Sequence, residues 1–217
     1  EVITLTGYAP YKTIIRHCEE GFSPTKQSPT LTEIASTLSG LAMTESEEES
    51  FMPPVVFIML DGVRPNALSA ANCPTLNSLI ERGASTMQAR SVMPSITLPC
   101  HTSIFHSVPP TRHGITSNTF IPFARPLPGI VEVAKAAEKR VAFFYNWEQL
   151  RDLARPGNVY YSYFKDTSYD LDGDDHSVAE AARYIQAEQP DFAFLYIGTV
   201  DTIGHAHGWM SAEYLRQ

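Results

Sequence analysis

Residues 55–62 read Val-Val-Phe-Ile-Met-Leu-Asp-Gly, and they constrain the fold more than any other stretch of the chain. An apolar run without a polar break is the pattern of a strand buried on both faces, as in a parallel sheet covered by helices. The run stops at a carboxylate, Asp61, followed by Gly62. Open α/β sheets bind their ligands outside the carboxyl ends of their strands. Asp61 is therefore a candidate metal ligand. The alternative is an aspartate that caps the following turn.

The pattern recurs downstream. Residues 140–145 and 192–198 are further apolar runs, and residues 160–164 are a candidate strand. Helical periodicity appears between them. It covers residues 74–82, with Pro74 at the start and Gly83 just past the end, the usual asymmetry of helix termini. It covers residues 127–139, and residues 177–189 with Val178, Ala181, Ala182 and Ile185 on one face. Strand–helix alternation predicts an α/β fold, a mostly parallel sheet with helices on both faces. Asp61 and Asp201 each follow a buried strand, so the two carboxylates are expected on the same sheet edge.

Between them, Pro94 and Pro99 bracket a hydroxyl-rich turn containing Ser95 and Thr97, with a helix expected from His101. A hydroxyl beside a helix N-terminus sits where backbone N–H groups and the helix dipole favour an anion. Residues 111–118 read as a loop. Asp166, Asp170, Asp172, Asp174 and Asp175 crowd one stretch but lack the EF-hand order and its distant glutamate, so a solvated loop capping the next helix is expected. Residues 1–50 form an unassigned segment, with a helical stripe over 31–41 and an acidic linker over 44–50; a boundary is placed near residue 50.

The formal net charge of −8 argues against a nucleic-acid groove or an anionic membrane surface as partner. It leaves a phosphorylated substrate open, because bound metal ions invert the local field. Cys18, Cys73 and Cys100 have no metal-type spacing and make no disulfide framework. They favour a reducing compartment such as the cytoplasm without fixing it. No apolar stretch is long enough to span a membrane, and the start has neither an initiator methionine nor a signal-peptide pattern. A processed chain, or a piece of a longer one, is expected.

Asp201 and His205, with Gly204 between them, form a carboxylate–imidazole pair of the kind that binds zinc and related ions. Gly204 is expected to let the backbone pass close to the ion, and His207 to support the site or be structural. The bland reading of His205 alone is an ordinary surface or core histidine.

Four motifs together carry a resemblance: residues 55–62; Thr97 within Ile-Thr-Leu-Pro-Cys-His; residues 110–118 (Pro-Thr-Arg-His-Gly-Ile-Thr-Ser-Asn); and residues 201–208 (Asp-Thr-Ile-Gly-His-Ala-His-Gly). In order and rough spacing, residues 53–217 resemble the nucleotide pyrophosphatase/phosphodiesterase branch of the alkaline phosphatase superfamily. The resemblance implies an alkaline-phosphatase-like fold, with residues 51–217 as the N-terminal part of a catalytic domain. It implies a hydrolase of phosphodiester or pyrophosphate bonds that uses two divalent metal ions, usually zinc, and a phospho-threonine intermediate. Carried over, Asp61 and Thr97 would bind one metal, Thr97 would be the nucleophile, Asp201 and His205 would bind the other metal, and Asn118 would hydrogen-bond a phosphate oxygen. Ser95 is the rival nucleophile. Cys100 stands where the family usually has Asn and reads as packing, with His101 structural.

The resemblance implies that the metal sites are completed by an Asp-His-Gly motif and one more His, both expected beyond this chain's last residue; no Asp-His-Gly occurs in this sequence. Each metal is left with two candidate ligands, where zinc normally takes at least three from the protein. A catalytic domain truncated at its C-terminus, and possessing little activity alone, is one expectation. The alternatives are a sulfatase or phosphomutase of the same superfamily, or a non-catalytic relative that kept the fold.

Overall fold

The computed structural model describes residues 5–6, 54–123 and 126–217. The helical stripe over 31–41, the acidic linker and the boundary near residue 50 lie outside these residues. The described residues fall within one compact unit.

Its centre is a parallel sheet of β2 (Val55–Leu60), β4 (Val141–Tyr145), β5 (Tyr161–Phe164) and β6 (Phe192–Ile197), in the order β2-β6-β4-β5. A separate antiparallel pair joins β1 (Leu5–Thr6) to β3 (Ala84–Ser85). The helices are α1 (Pro65–Ala70), α2 (Pro74–Arg82), α3 (Thr97–His106), α4 (Pro110–His113), α5 (Ile130–Ala136), α6 (Gly173–Glu188), α7 (Thr199–His207) and α8 (Ala212–Arg216), with a 3-10 turn over Glu148–Leu153. Among the described residues, no helix is long and apolar enough to cross a membrane.

The sheet separates two apolar layers. On one face Phe57, Phe143 and Phe194 meet Leu98 and Phe105 of α3. Phe105 packs edge-on against Phe194 at 5.0 Å, a favoured arrangement for aromatic quadrupoles. On the other face Ala142, Phe144, Ala193 and Leu195 meet Ala181 and Tyr184 of α6. Central strands covered on both faces need no alternation, which is why β4 is buried throughout while the outer strand β5 alternates.

Three expectations are corrected. The strand over 55–60 is not buried on both faces: it pairs only with β6 among the described residues, and Ile58 is 46% exposed. Helix α3 begins at Thr97 rather than His101, because Pro99 in the first turn lacks an N–H that the helix would leave unpaired anyway. Helix α6 starts earlier than residue 177 and turns Ser177, Ala181 and Tyr184 inward, leaving Val178 and Ala182 outside. Its register is set by Asp174, buried in the first turn of the same face.

Candidate active site

The carboxyl ends of β2 and β6 open into a cleft of about 600 Å³ whose lining includes Asp61, Thr97, Asn118, Asp201 and His205. Parallel pairing places Leu60 opposite Ile197, and Asp61 N–H continues the ladder by donating to Ile197 O at 2.9 Å. The chain then turns at Gly62, whose φ of +72° favours a residue without a Cβ. A Cβ there would also lie 2.6 Å from Asp201 Cα, so this glycine lets the two carboxylate-bearing segments close on each other.

Thr97 is the first residue of α3, half-buried on the cleft wall. Helix N-termini leave N–H groups unpaired, and Ile96 before it has no side chain to accept them. Asn118, distant in sequence, supplies the cap: its Oδ1 accepts from Leu98 N–H at 3.0 Å. This bond holds Asn118 beside the start of α3 on the cleft lining. Ser95 lies outside the helix, with Ser91 Oγ donating to its hydroxyl oxygen at 3.0 Å. The Cys100 thiol faces the cleft half-buried, and burial pushes its pKa up, keeping it protonated.

Asp201 and His205 project from α7 one turn apart, with Nε2 to Oδ2 at 3.6 Å. Burial, then the charge of Asp61, raises the Asp201 pKa, while His205 opposes the shift. Two carboxylates facing one cleft thus repel, an arrangement that a bound cation relieves. At Gly204 a Cβ would overlap the Trp209 ring, which packs over it. His207 is exposed.

The profile of the type I phosphodiesterase / nucleotide pyrophosphatase family matches residues 55–217, the segment that builds this sheet and cleft. The chain belongs to that family. Among similar proteins are the venom phosphodiesterase of Macrovipera lebetinus, 24% identical over 75% of this chain and 21% of its own length. A pyrophosphatase/phosphodiesterase of Schizosaccharomyces pombe is 29% identical over 75% of this chain and 37% of its own. The chain therefore spans well under half the length of these relatives. In fold it is similar to murine ectonucleotide pyrophosphatase/phosphodiesterase 5, as an inactive threonine-to-alanine variant in complex with AMP: TM-score 0.62, 18% identity, 76% of this chain and 48% of the other. Phosphonoacetate hydrolase of Sinorhizobium meliloti gives a TM-score of 0.58 at 23% identity over 76% of this chain and 50% of its own.

Sequence reasoning missed two residues of this phosphodiesterase-family site. Tyr196, on β6, is buried, and its hydroxyl donates to Asp61 Oδ2 at 2.8 Å. Burial and then the nearby charge of Asp61 push its pKa well above the phenol range, so it remains a donor. Asp174 was expected in a solvated loop. It is buried instead, accepting from Asn146 Nδ2 at 2.9 Å, Gly198 N–H at 3.0 Å and Thr199 N–H at 2.9 Å. It thus caps α7, the helix that carries Asp201 and His205, from another element. Neither had a local signal: Tyr196 read as one more apolar strand residue, and Asp174 as one of several acidic neighbours.

The motif histidines outside the Asp201 segment pack internally. His101 Nδ1–H donates to Thr97 O at 2.8 Å, and its ring stands edge-on to Tyr196 at 5.5 Å. His113 accepts from Ile115 N–H at 3.0 Å through Nδ1 and donates to Ser103 Oγ at 2.9 Å through Nε2, holding the loop that leads to Asn118 against α3. Burial lowers the pKa of His101, His106 and His113. Between the ordinary histidine pKa of about 6.5 and their lower folded values, the unfolded chain binds more protons than the native one, so stability rises with pH there. The melting temperature is expected to be level between about pH 7 and 8 and to fall as pH drops below about 6.5. Calorimetry at constant ionic strength checks this; an unchanged melting temperature down to about pH 5.5 contradicts it.

As candidate metal donors, the cleft residues fit in kind but are short in number. Asp61, Asp201 and His205 are carboxylate and imidazole donors facing one cleft, and Thr97 adds a hydroxyl. Among the described residues, no three of His, Cys, Asp and Glu gather as a cage.

Proposed function

We propose that the protein is a metal-dependent hydrolase of phosphate esters, acting on phosphodiester or pyrophosphate bonds through a phospho-threonine intermediate. The observation that carries this reading is the convergence of Thr97, at the half-buried start of α3, with Asp61, Asp201, His205 and the Asn118 amide around one cleft. The family membership supports it, as does the likeness to a fold neighbour bound to AMP, in which a threonine-to-alanine variant is inactive.

Asp61 and Thr97 would hold one divalent ion, and Asp201 with His205 a second; zinc suits both donor sets. Further ligands are expected from residues outside those described. When bound, such ions lower the pKa of a hydroxyl and stabilise a leaving oxygen. Thr97 Oγ1 would then attack phosphorus in line as the ester P–O bond breaks, and water would later cleave the phosphothreonine. The Asn118 NH2 would donate to an equatorial oxygen, where charge builds up. The positive end of the α3 dipole would favour the same anion, although Leu98 N–H is already taken by Asn118 and Pro99 has no N–H.

The full-length protein is expected to hydrolyse a bis-nitrophenyl phosphate faster than nitrophenyl phosphate or nitrophenyl sulfate, to lose this activity on chelation, and to regain it with zinc. Preferred sulfate turnover would instead favour a sulfatase. An absence of turnover together with no metal by elemental analysis would favour a non-catalytic relative.

A further inference from the structure

We infer that Tyr196 is a positioning residue for this reaction: it fixes the Asp61 carboxylate so that Oδ1 alone faces the cleft as a ligand oxygen. The inference rests on the proposed metal-binding role of Asp61.

Three features hold the phenol in place. Its ring lies on β6, in register beside Met59 of β2, one residue before Leu60 and two before Asp61. His101 stands edge-on to it at 5.5 Å. The turn after β6 closes over it at Gly198, where a Cβ would lie 2.6 Å from the ring. A buried ring clasped on these sides directs its hydroxyl to one place, Asp61 Oδ2 at 2.8 Å.

Asp61 is then held at both ends. Its backbone N–H is tied to Ile197 O at 2.9 Å, and one carboxylate oxygen is taken by the phenol. Without the phenol, the side chain can rotate toward solvent in the cleft or turn both oxygens to one ion. A hydrogen bond from a group behind a ligating carboxylate orients it and tunes its affinity, and its loss typically costs about 10- to 100-fold in metal binding or activity.

Tyr196→Phe keeps the ring and removes only the donor. In the full-length protein, zinc affinity measured by calorimetry is expected to fall about tenfold or more. Phosphodiester kcat should fall with it at limiting zinc and recover in part at saturating zinc, with KM little changed. The crystal structure of the metal-free variant should show Asp61 rotated or in two conformers. A purely structural tyrosine would lower the melting temperature and leave zinc affinity unchanged. Unchanged zinc affinity together with an unmoved Asp61 overturns the inference. If the wild-type protein binds no zinc, the metal reading of the site fails on its own, and the Asp61 rotamer in the variant then decides whether Tyr196 orients it.

Discussion

Replacing Thr97 with alanine is expected to reduce phosphodiester turnover by the full-length protein by at least about a thousandfold, the scale of loss when a covalent nucleophile is removed. Folding should be little affected. Thr97 is half-buried at the first position of α3, where alanine is a good helix former, so the stability change should stay within about 0.5 kcal/mol. Thr97→Ser keeps a hydroxyl at the same helix start and should retain measurable turnover. Ser95→Ala should be close to wild type, since Ser95 lies outside the helix and is paired with Ser91. Steady-state kinetics on the three variants, with a thermal melt as control for folding, separate the two hydroxyls. Full activity in Thr97→Ala removes Thr97 as nucleophile, and loss in Ser95→Ala alone transfers the role.

The second large effect is on stability. Asp174→Ala removes the acceptor for Asn146 Nδ2, Gly198 N–H and Thr199 N–H at once. Each buried donor left without a partner costs about 1–3 kcal/mol. Partial relaxation around the smaller side chain should bring the total to about 3–5 kcal/mol, close to the whole stability of a modest domain. Asp174→Asn should cost less, since its Oδ1 can still accept from two donors, while its NH2 would face a third donor. Urea denaturation of the two variants should rank them in that order. Equal and small losses would mean that α7 does not depend on this cap. The same variants bear on the site, because α7 carries Asp201 and His205.

Much of the architecture was legible along the chain. The apolar runs that became β2, β4 and β6 are unbroken and separated by helical patterns, which points to a parallel sheet between helical layers even though β2 lies at its edge. The Pro74–Gly83 signature located α2. The start of α3 was read too late, because a proline suggests a break unless its place in the first turn is known. Of the α6 face expected at Val178, Ala181, Ala182 and Ile185, Ala181 is buried and Ile185 packs against the core while Val178 and Ala182 face outward, because hydrophobic periodicity alone does not reveal an anchoring carboxylate.

What the sequence by itself determined is a set of short-range patterns: buried strands, capped helices, the family motifs, and the residue types able to do phosphoryl chemistry. These depend on neighbours along the chain, so a linear reading reaches them. Tertiary structure alone decided which distant groups complete one another. Asn118 caps the helix of Thr97, Asp174 caps the helix of Asp201, and Tyr196 holds Asp61. The physical reason is the same in each case. A buried donor or acceptor must find a partner, and only the closed fold determines which residue stands within hydrogen-bond distance of it.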